Sequence, residues 1–233
     1  MKWNRAARLA SPLAILLALA ACGQGQAPVA PASESAAAPT ADLPVMGPEV
    51  PMVALGDSLF AGYGLGPGQS YPAHLEAALR ARGINAKMVN AGVSGDTTAD
   101  GLARLDFTLN SQKQPPALVL ISLGGNDVLR GLPPEQTRAN LDAILTKLHQ
   151  RKVPAVLMGM LAPPNLGADY RAKFDPIYPA LAKKHGAALV PFFLQPVVGK
   201  PQLLQQDHIH PTLEGIDLIV GATVDQVAGL VKK

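Results

Sequence analysis

The sequence predicts an α/β fold of three layers, α/β/α, around a five-stranded and mainly parallel sheet that occupies residues 50–233. Two observations carry that expectation. Short apolar runs recur five times without the polar alternation of a sheet that faces water on one side, so both faces must be covered. Between them lie segments with apolar residues at helical spacing, and strands alternating with helices build parallel sheets.

The elements follow in order. "VPMVAL" (50–55) is the first strand, and "SYPAHLEAALRARG" (70–83) is a helix ending at a glycine. "INAKMVNAG" (84–92) is strand-like and "DTTADGLARLDFTL" (96–109) helical. "PALVLISLGG" (116–125) is the clearest buried strand, apolar apart from Ser122. "PPEQTRANLDAILTKLHQRK" (133–152) opens on prolines and then places Leu141, Ile144, Leu145 and Leu148 on one helical face. "VPAVLMGML" (153–161) is the fourth strand. The helical segment 169–186 contains Pro176 and Pro179, which must bend or divide it. "AALVPFF" (187–193) is the fifth strand, and 212–231 is the closing helix.

Upstream of the domain, Lys2, Arg5 and Arg8 precede an apolar run from Leu9 to Ala21. That run is shorter than the roughly 20 residues of a membrane-spanning helix and reads as a secretory signal over 1–21. It ends in Leu19-Ala20-Ala21-Cys22, which resembles the lipobox of bacterial lipoproteins. The resemblance implies cleavage before Cys22, acylation of its thiol and, with Gly23 next, anchoring at the outer membrane facing the periplasm. Cys22 is the only cysteine, so an intramolecular disulfide is excluded. Residues 22–49 are rich in Ala and Pro and read as a flexible tether. Removing the leader takes away the three charges that make the precursor +3, and 17 basic residues then balance 17 acidic ones. A near-neutral chain without a basic stripe is not expected to bind nucleic acid.

Ligands of open α/β sheets bind beyond the carboxyl ends of the strands, and polar residues cluster there. Gly56-Asp57-Ser58-Leu59 follows the first strand, Asn90-Ala91-Gly92 ends the second, Gly124-Gly125-Asn126-Asp127 follows the third, and Asp207 and His210 follow the fifth. Ser58 is a nucleophile candidate, which requires a base at hydrogen-bond reach oriented by a third group. Asp207 and His210, three apart, place a carboxylate and an imidazole on one side of a turn. The backbone N–H groups of Ser58 and Gly92 and the amide of Asn126 are candidate donors to an oxyanion. The plainer alternatives are that Ser58 caps a helix and that "GGND" is a strand-ending turn. Asp127 is expected to be structural, because a second carboxylate would oppose charge developing on an oxyanion.

The four motifs "GDSL" (56–59), "NAGVSGDTT" (90–98), "GGND" (124–127) and "DHIH" (207–210) resemble those of the SGNH/GDSL hydrolase superfamily, in its branch of bacterial thioesterase I, lysophospholipase and arylesterase proteins. The likeness runs through the chain from residue 51. It implies a flavodoxin-like SGNH hydrolase fold, with Ser58 as nucleophile, His210 as base, Asp207 orienting it, and Ser58, Gly92 and Asn126 as the oxyanion hole. It implies a serine hydrolase acting on carboxylic esters (aryl esters, lysophospholipids, acyl thioesters) through an acyl-enzyme, as a monomer and with neither cofactor nor metal. Two departures stand out. His208 replaces a common glycine, and Gly159-Met160-Leu161 replaces a more polar stretch. Met160, Leu161, Pro163 and Leu166 are the expected wall for an acyl group.

Other chemistries fit less well. Gly-Asp-Ser-Leu-Phe departs from the G-x-S-x-G elbow, and Gly62, Gly64, Gly66 and Gly68 match neither phosphate-loop pattern. Asp207, His208 and His210 lack a second group of metal ligands at suitable spacing. His208 is expected at a wall or the surface, His74, His149 and His185 solvated or packed, and Phe192 and Phe193 in the core or cleft lining. An O-acetylesterase of carbohydrate or peptidoglycan, with a shallow polar cleft, and a non-catalytic lipid-binding lipoprotein are the alternative functions.

Overall fold

The computed structural model describes residues 45–231. The expected signal, Cys22 and most of the tether lie outside the described residues. Fifteen elements follow one another, and the sheet contains β1 (Val50–Gly56), β2 (Ala86–Gly92), β3 (Leu118–Ser122), β4 (Ala155–Met158) and β5 (Ala188–Val190). All four pairings are parallel, in the order β2-β1-β3-β4-β5. The three-layer α/β/α fold is as the sequence predicts.

The handedness of crossovers explains the layers. The chain steps from β1 to β2 in one direction and from β2 over to β3 in the other, so right-handed connections put their helices on opposite faces. Accordingly α2 (Tyr71–Ala81) packs against the last helix, α8 (Leu213–Val231), whereas α3 (Thr98–Asn110), α5 (Pro134–Gln150) and α7 (Ile177–His185) pack in series. The reversal between β1 and β3 is the topological switch point, where the carboxyl ends of adjacent strands diverge and leave a crevice.

Local signals set the helix boundaries. Ser70 caps α2, accepting from Ala73 N–H, and Pro72 occupies its first turn. Thr97 and Asp100 form a reciprocal capping box at the start of α3. The segment 169–186 divides at Pro176 into α6 (Gly167–Phe174) and α7. Pro179 sits in the first turn of α7, where a missing N–H breaks no helical hydrogen bond. Two short helices were not apparent in the sequence: α1 (Ser58–Ala61) and α4 (Gly125–Leu129) each begin directly at the end of a sheet strand. β3 accordingly stops at Ser122, because Gly124 turns left-handed at φ 106° and starts α4.

Beneath the β1–α1 corner, Phe60, Tyr71 and Phe193 pack ring on ring, with centroids 4.8–5.8 Å apart. Phe193 is therefore core. Tyr71 is fully buried and its hydroxyl meets Thr223 Oγ1 of α8 at 2.8 Å, so the one polar atom of the cluster is satisfied. Removing that hydroxyl leaves Thr223 its bond to Ile219 O and should cost about 1 kcal/mol. Thermal unfolding of Tyr71→Phe is expected to show a midpoint lower by about 2–4 °C.

Candidate active site

Ser58 is the first residue of α1, and the cap is its neighbour: Asp57 Oδ1 accepts from Leu59 N–H at 3.0 Å, and Asp57 N–H donates to Ser122 O of β3. The serine is thus held at the corner of strand and helix with its hydroxyl free for other work. His210 Nε2 lies 2.8 Å from Ser58 Oγ, and His210 Nδ1 lies 2.6 Å from Asp207 Oδ2. A tautomer protonated on Nδ1 donates to Asp207 and leaves Nε2 to accept from the Ser58 hydroxyl.

Asp207 also shapes its own loop. Its Oδ1 accepts from Ile209 N–H at 2.9 Å and His210 N–H at 3.0 Å, closing the turn that carries the imidazole. Partial burial would raise its carboxyl, but the hydrogen bonds from His210 and Ile209 outweigh that and bring it down to about 2. Asp207 is therefore ionised at any pH at which an imidazole is neutral. His208 is exposed and left-handed at φ 58°, a conformation easier for glycine.

One of the candidate oxyanion donors is already engaged. Gly92 N–H is committed, donating to Asn90 Oδ1 at 2.9 Å. Its missing side chain has another reason: a Cβ there would lie 2.3 Å from Ala61 N, so only glycine lets β2 pass α1. By contrast, Ser58 N–H and Gly95 N–H donate to no acceptor among the described residues. Gly95 belongs to a turn that is tied down on every side. Arg130 Nη2 donates to Gly95 O at 2.6 Å, Arg104 joins Asp96 Oδ2 (2.6 Å) to Gly56 O (2.9 Å), and Asn126 Nδ2 donates to Asp96 O at 2.9 Å. One amide hydrogen of Asn126 is spent on that bond and the other remains. Sequence reasoning missed Gly95 because "AGVSG" holds two glycines, and nothing in their spacing tells which N–H the strand-end turn leaves unpaired.

Asp127 is 1% exposed and accepts from Thr98 N–H, Thr98 Oγ1 and Thr137 Oγ1, bolting α4 to α3 and α5. It is a structural carboxylate, as expected.

Ser58, Asn126 and His210 open onto a cleft of about 160 Å³. Its walls are mostly apolar: Leu59, Val128, Leu129, Met160, Leu161, Pro163, Leu194 and Ile209. Of the four expected wall residues, Met160, Leu161 and Pro163 line it. Leu166 does not, because it lies in a turn of 3-10 helix (Pro164–Leu166) and packs against the core. A larger concavity, about 550 Å³, lies near the amino ends of β4 and β5 between Leu145, Lys152, His185 and Ala187. Its His185 is engaged by Asp142 at 2.6 Å and faces no nucleophile. Among the described residues no group of three or more His, Cys, Asp or Glu is arranged to hold a metal, and no described helix is long and apolar enough to cross a membrane.

Asp57 brings a buried carboxyl close behind the nucleophile. Burial pushes it up to about 6, opposed by Leu59 N–H and by the nearby His210. An acid whose folded pKa exceeds its ordinary 3.8 stabilises the fold fully below that value, and the contribution is lost as pH rises through about 6. The melting midpoint of the native chain is therefore expected to fall more steeply between about pH 4 and 6.5 than that of Asp57→Asn, which keeps an acceptor for Leu59.

Comparison with known proteins gives the same picture. Residues 54–218 match the GDSL-like Lipase/Acylhydrolase family. The chain is 43% identical over 162 residues to Esterase TesA of Pseudomonas aeruginosa, covering 70% of this chain and 80% of that protein. It is 39% identical over 180 residues to Thioesterase 1/protease 1/lysophospholipase L1 of Escherichia coli K12, covering 77% and 84%. Among solved structures, AlinE4, an SGNH-hydrolase family esterase, is 57% identical with a TM-score of 0.69, over 81% of this chain and 100% of that one. A strand-end serine, a histidine and aspartate in line behind it, and these relatives agree: the chain is a carboxylic ester hydrolase and belongs to the GDSL-like lipase/acylhydrolase family.

Proposed function

We propose that Ser58, His210 and Asp207 form the catalytic triad of a two-step acyl transfer on lipid and aryl esters outside the cytoplasm. The observation that carries this reading is the continuous hydrogen-bonded line from Asp207 through His210 to Ser58, which opens on an apolar cleft. His210 takes the proton of Ser58 as Oγ attacks the ester carbonyl. The carbonyl oxygen gathers negative charge opposite the N–H groups of Ser58 and Gly95 and the second amide hydrogen of Asn126, with Gly95 standing where Gly92 was expected. His210 then protonates the departing alcohol. A water activated by the same imidazole hydrolyses the acyl-Ser58 ester and completes the cycle.

The substrate class follows from the walls and from the leader. Leu161, Leu129 and Ile209 are 44%, 60% and 41% exposed, so they line the open side of the cleft with apolar surface where an acyl chain enters. Each methylene buried there contributes about 0.8 kcal/mol. A carbohydrate acetylesterase would be served by a polar rim instead. Residues 1–21 read as a signal and Cys22 as a lipid-anchored first residue, with 22–49 as tether to the hydrolase domain and placement at the outer membrane. In that compartment acyl-CoA is absent, which favours lysophospholipids and aryl esters over thioesters. All three members of the triad come from one chain, so a monomer suffices.

The test is hydrolysis of p-nitrophenyl esters from acetate to palmitate by the protein lacking residues 1–22, beside Ser58→Ala. Activity is expected to fall by at least about 10⁴-fold in the variant. The native chain should prefer medium acyl groups over acetate; a preference for acetate alone would favour the acetylesterase.

A further inference from the structure

The glycine-rich stretch 62–68 has no part in the chemistry above, yet it delivers one aromatic side chain to the active site. The ring of Tyr63 lies over the imidazole of His210, with centroids 4.5 Å apart and planes inclined by 34°. Tyr63 is 53% exposed and its hydroxyl bonds to no described residue, so neither burial nor a polar contact of its own accounts for that placement.

Its backbone, however, is held from both sides. Tyr63 N–H donates to Ser58 O at 3.2 Å, which ties it to the nucleophile helix. Gln205 Nε2 donates to Tyr63 O at 2.7 Å and to Pro211 O at 3.0 Å, while Gln205 N–H donates to His210 O at 2.7 Å. One glutamine thus joins the glycine stretch to both ends of the His210–Pro211 step. Gly64 lies beside this link at φ 73°, a conformation that favours glycine, and a Cβ there would come 2.0 Å from Gln205 Oε1 and displace that side chain.

We propose that Tyr63 is a positioning residue for His210, its backbone held by Gln205 so that its ring stands against one face of the imidazole. The inference rests on His210 being the general base. Asp207 and Ser58 bond to the two ring nitrogens and fix them within the imidazole plane, and neither restrains tilting out of that plane; Tyr63 supplies the missing support. When the Ser58 O–H bond breaks and an N–H bond forms on Nε2, the imidazole becomes a cation, and an aromatic face stabilises it. The same ring covers one face of His210, whose side chain is 15% exposed.

Tyr63→Phe, Tyr63→Leu and Gln205→Ala test this in the otherwise native chain. Tyr63→Phe should keep kcat close to native, whereas Tyr63→Leu should lower it roughly three- to fivefold with KM little changed. Gln205→Ala should move kcat in the same direction as Tyr63→Leu. The second measurement needs no substrate: ring-current shifts of the His210 ring protons by NMR, present in the native chain and Tyr63→Phe and lost in Tyr63→Leu. An unchanged kcat in Tyr63→Leu, an equal loss in Tyr63→Phe, or a loss carried by KM alone overturns the proposal, as does absence of the shift in the native chain. Native activity in His210→Ala would instead overturn the assignment of the base, whatever the ring-current shifts.

Discussion

A hydrogen bond 2.8 Å long between Ser58 and His210 joins residues 152 apart in the chain, and most of the architecture serves to make it. Ser58 rides on the corner of β1 and α1 in the interior of the sheet, where the strand order reverses. His210 arrives from the far edge, in the loop that follows β5 and leads to α8. The two meet because α8 returns across the sheet to pack against α2, drawing the preceding loop over the carboxyl end of β1. Asp207 then sets the imidazole by two devices at once, bonding Nδ1 with one oxygen and the turn's backbone with the other.

Around that bond the site is stiffened by a network of polar groups. Arg104 bridges the end of β1 and the turn after β2, and Asn126 fastens the same turn to α4. Asp127, buried beneath, joins three helices through two threonines. Oxyanion stabilisation is effective when donors are fixed before charge develops. These ties hold Ser58, Gly95 and Asn126 on three segments that have no covalent reason to stay in register. The apolar cleft beside them is open, and its volume is formed by side chains of five separate segments.

The fold and the residues of the Asp207–His210–Ser58 line were legible in the sequence because both depend on side-chain chemistry with a local period or spacing. Apolar runs gave the five strands, and Asp207 and His210 three apart gave a carboxylate–imidazole pair. What escaped was set by backbone and tertiary packing. Gly92 and Gly95 are alike on paper, yet one N–H is consumed by Asn90 and the other, in a turn, meets no acceptor among the described residues. Leu166 is apolar and in the right loop, but a single turn of 3-10 helix aims it at the core. The short helices α1 and α4 are too brief to carry a periodic signal, and they are what turn Ser58 and Asn126 into the crevice. Tyr63 was hidden in a run of glycines whose purpose depends on Gln205, 142 residues later.

Covalent trapping tests the assignment of nucleophile and base most directly. The protein lacking residues 1–22 would be treated with an alkyl p-nitrophenyl phosphonate, and the site and stoichiometry of the adduct read by peptide mass mapping. One phosphonyl group on Ser58, formed rapidly in the native chain and slowed by orders of magnitude in His210→Ala, is the predicted result. Modification of a different residue, or equal labelling with and without the His210 imidazole, would contradict the triad and leave the geometry of Asp207, His210 and Ser58 without a catalytic meaning.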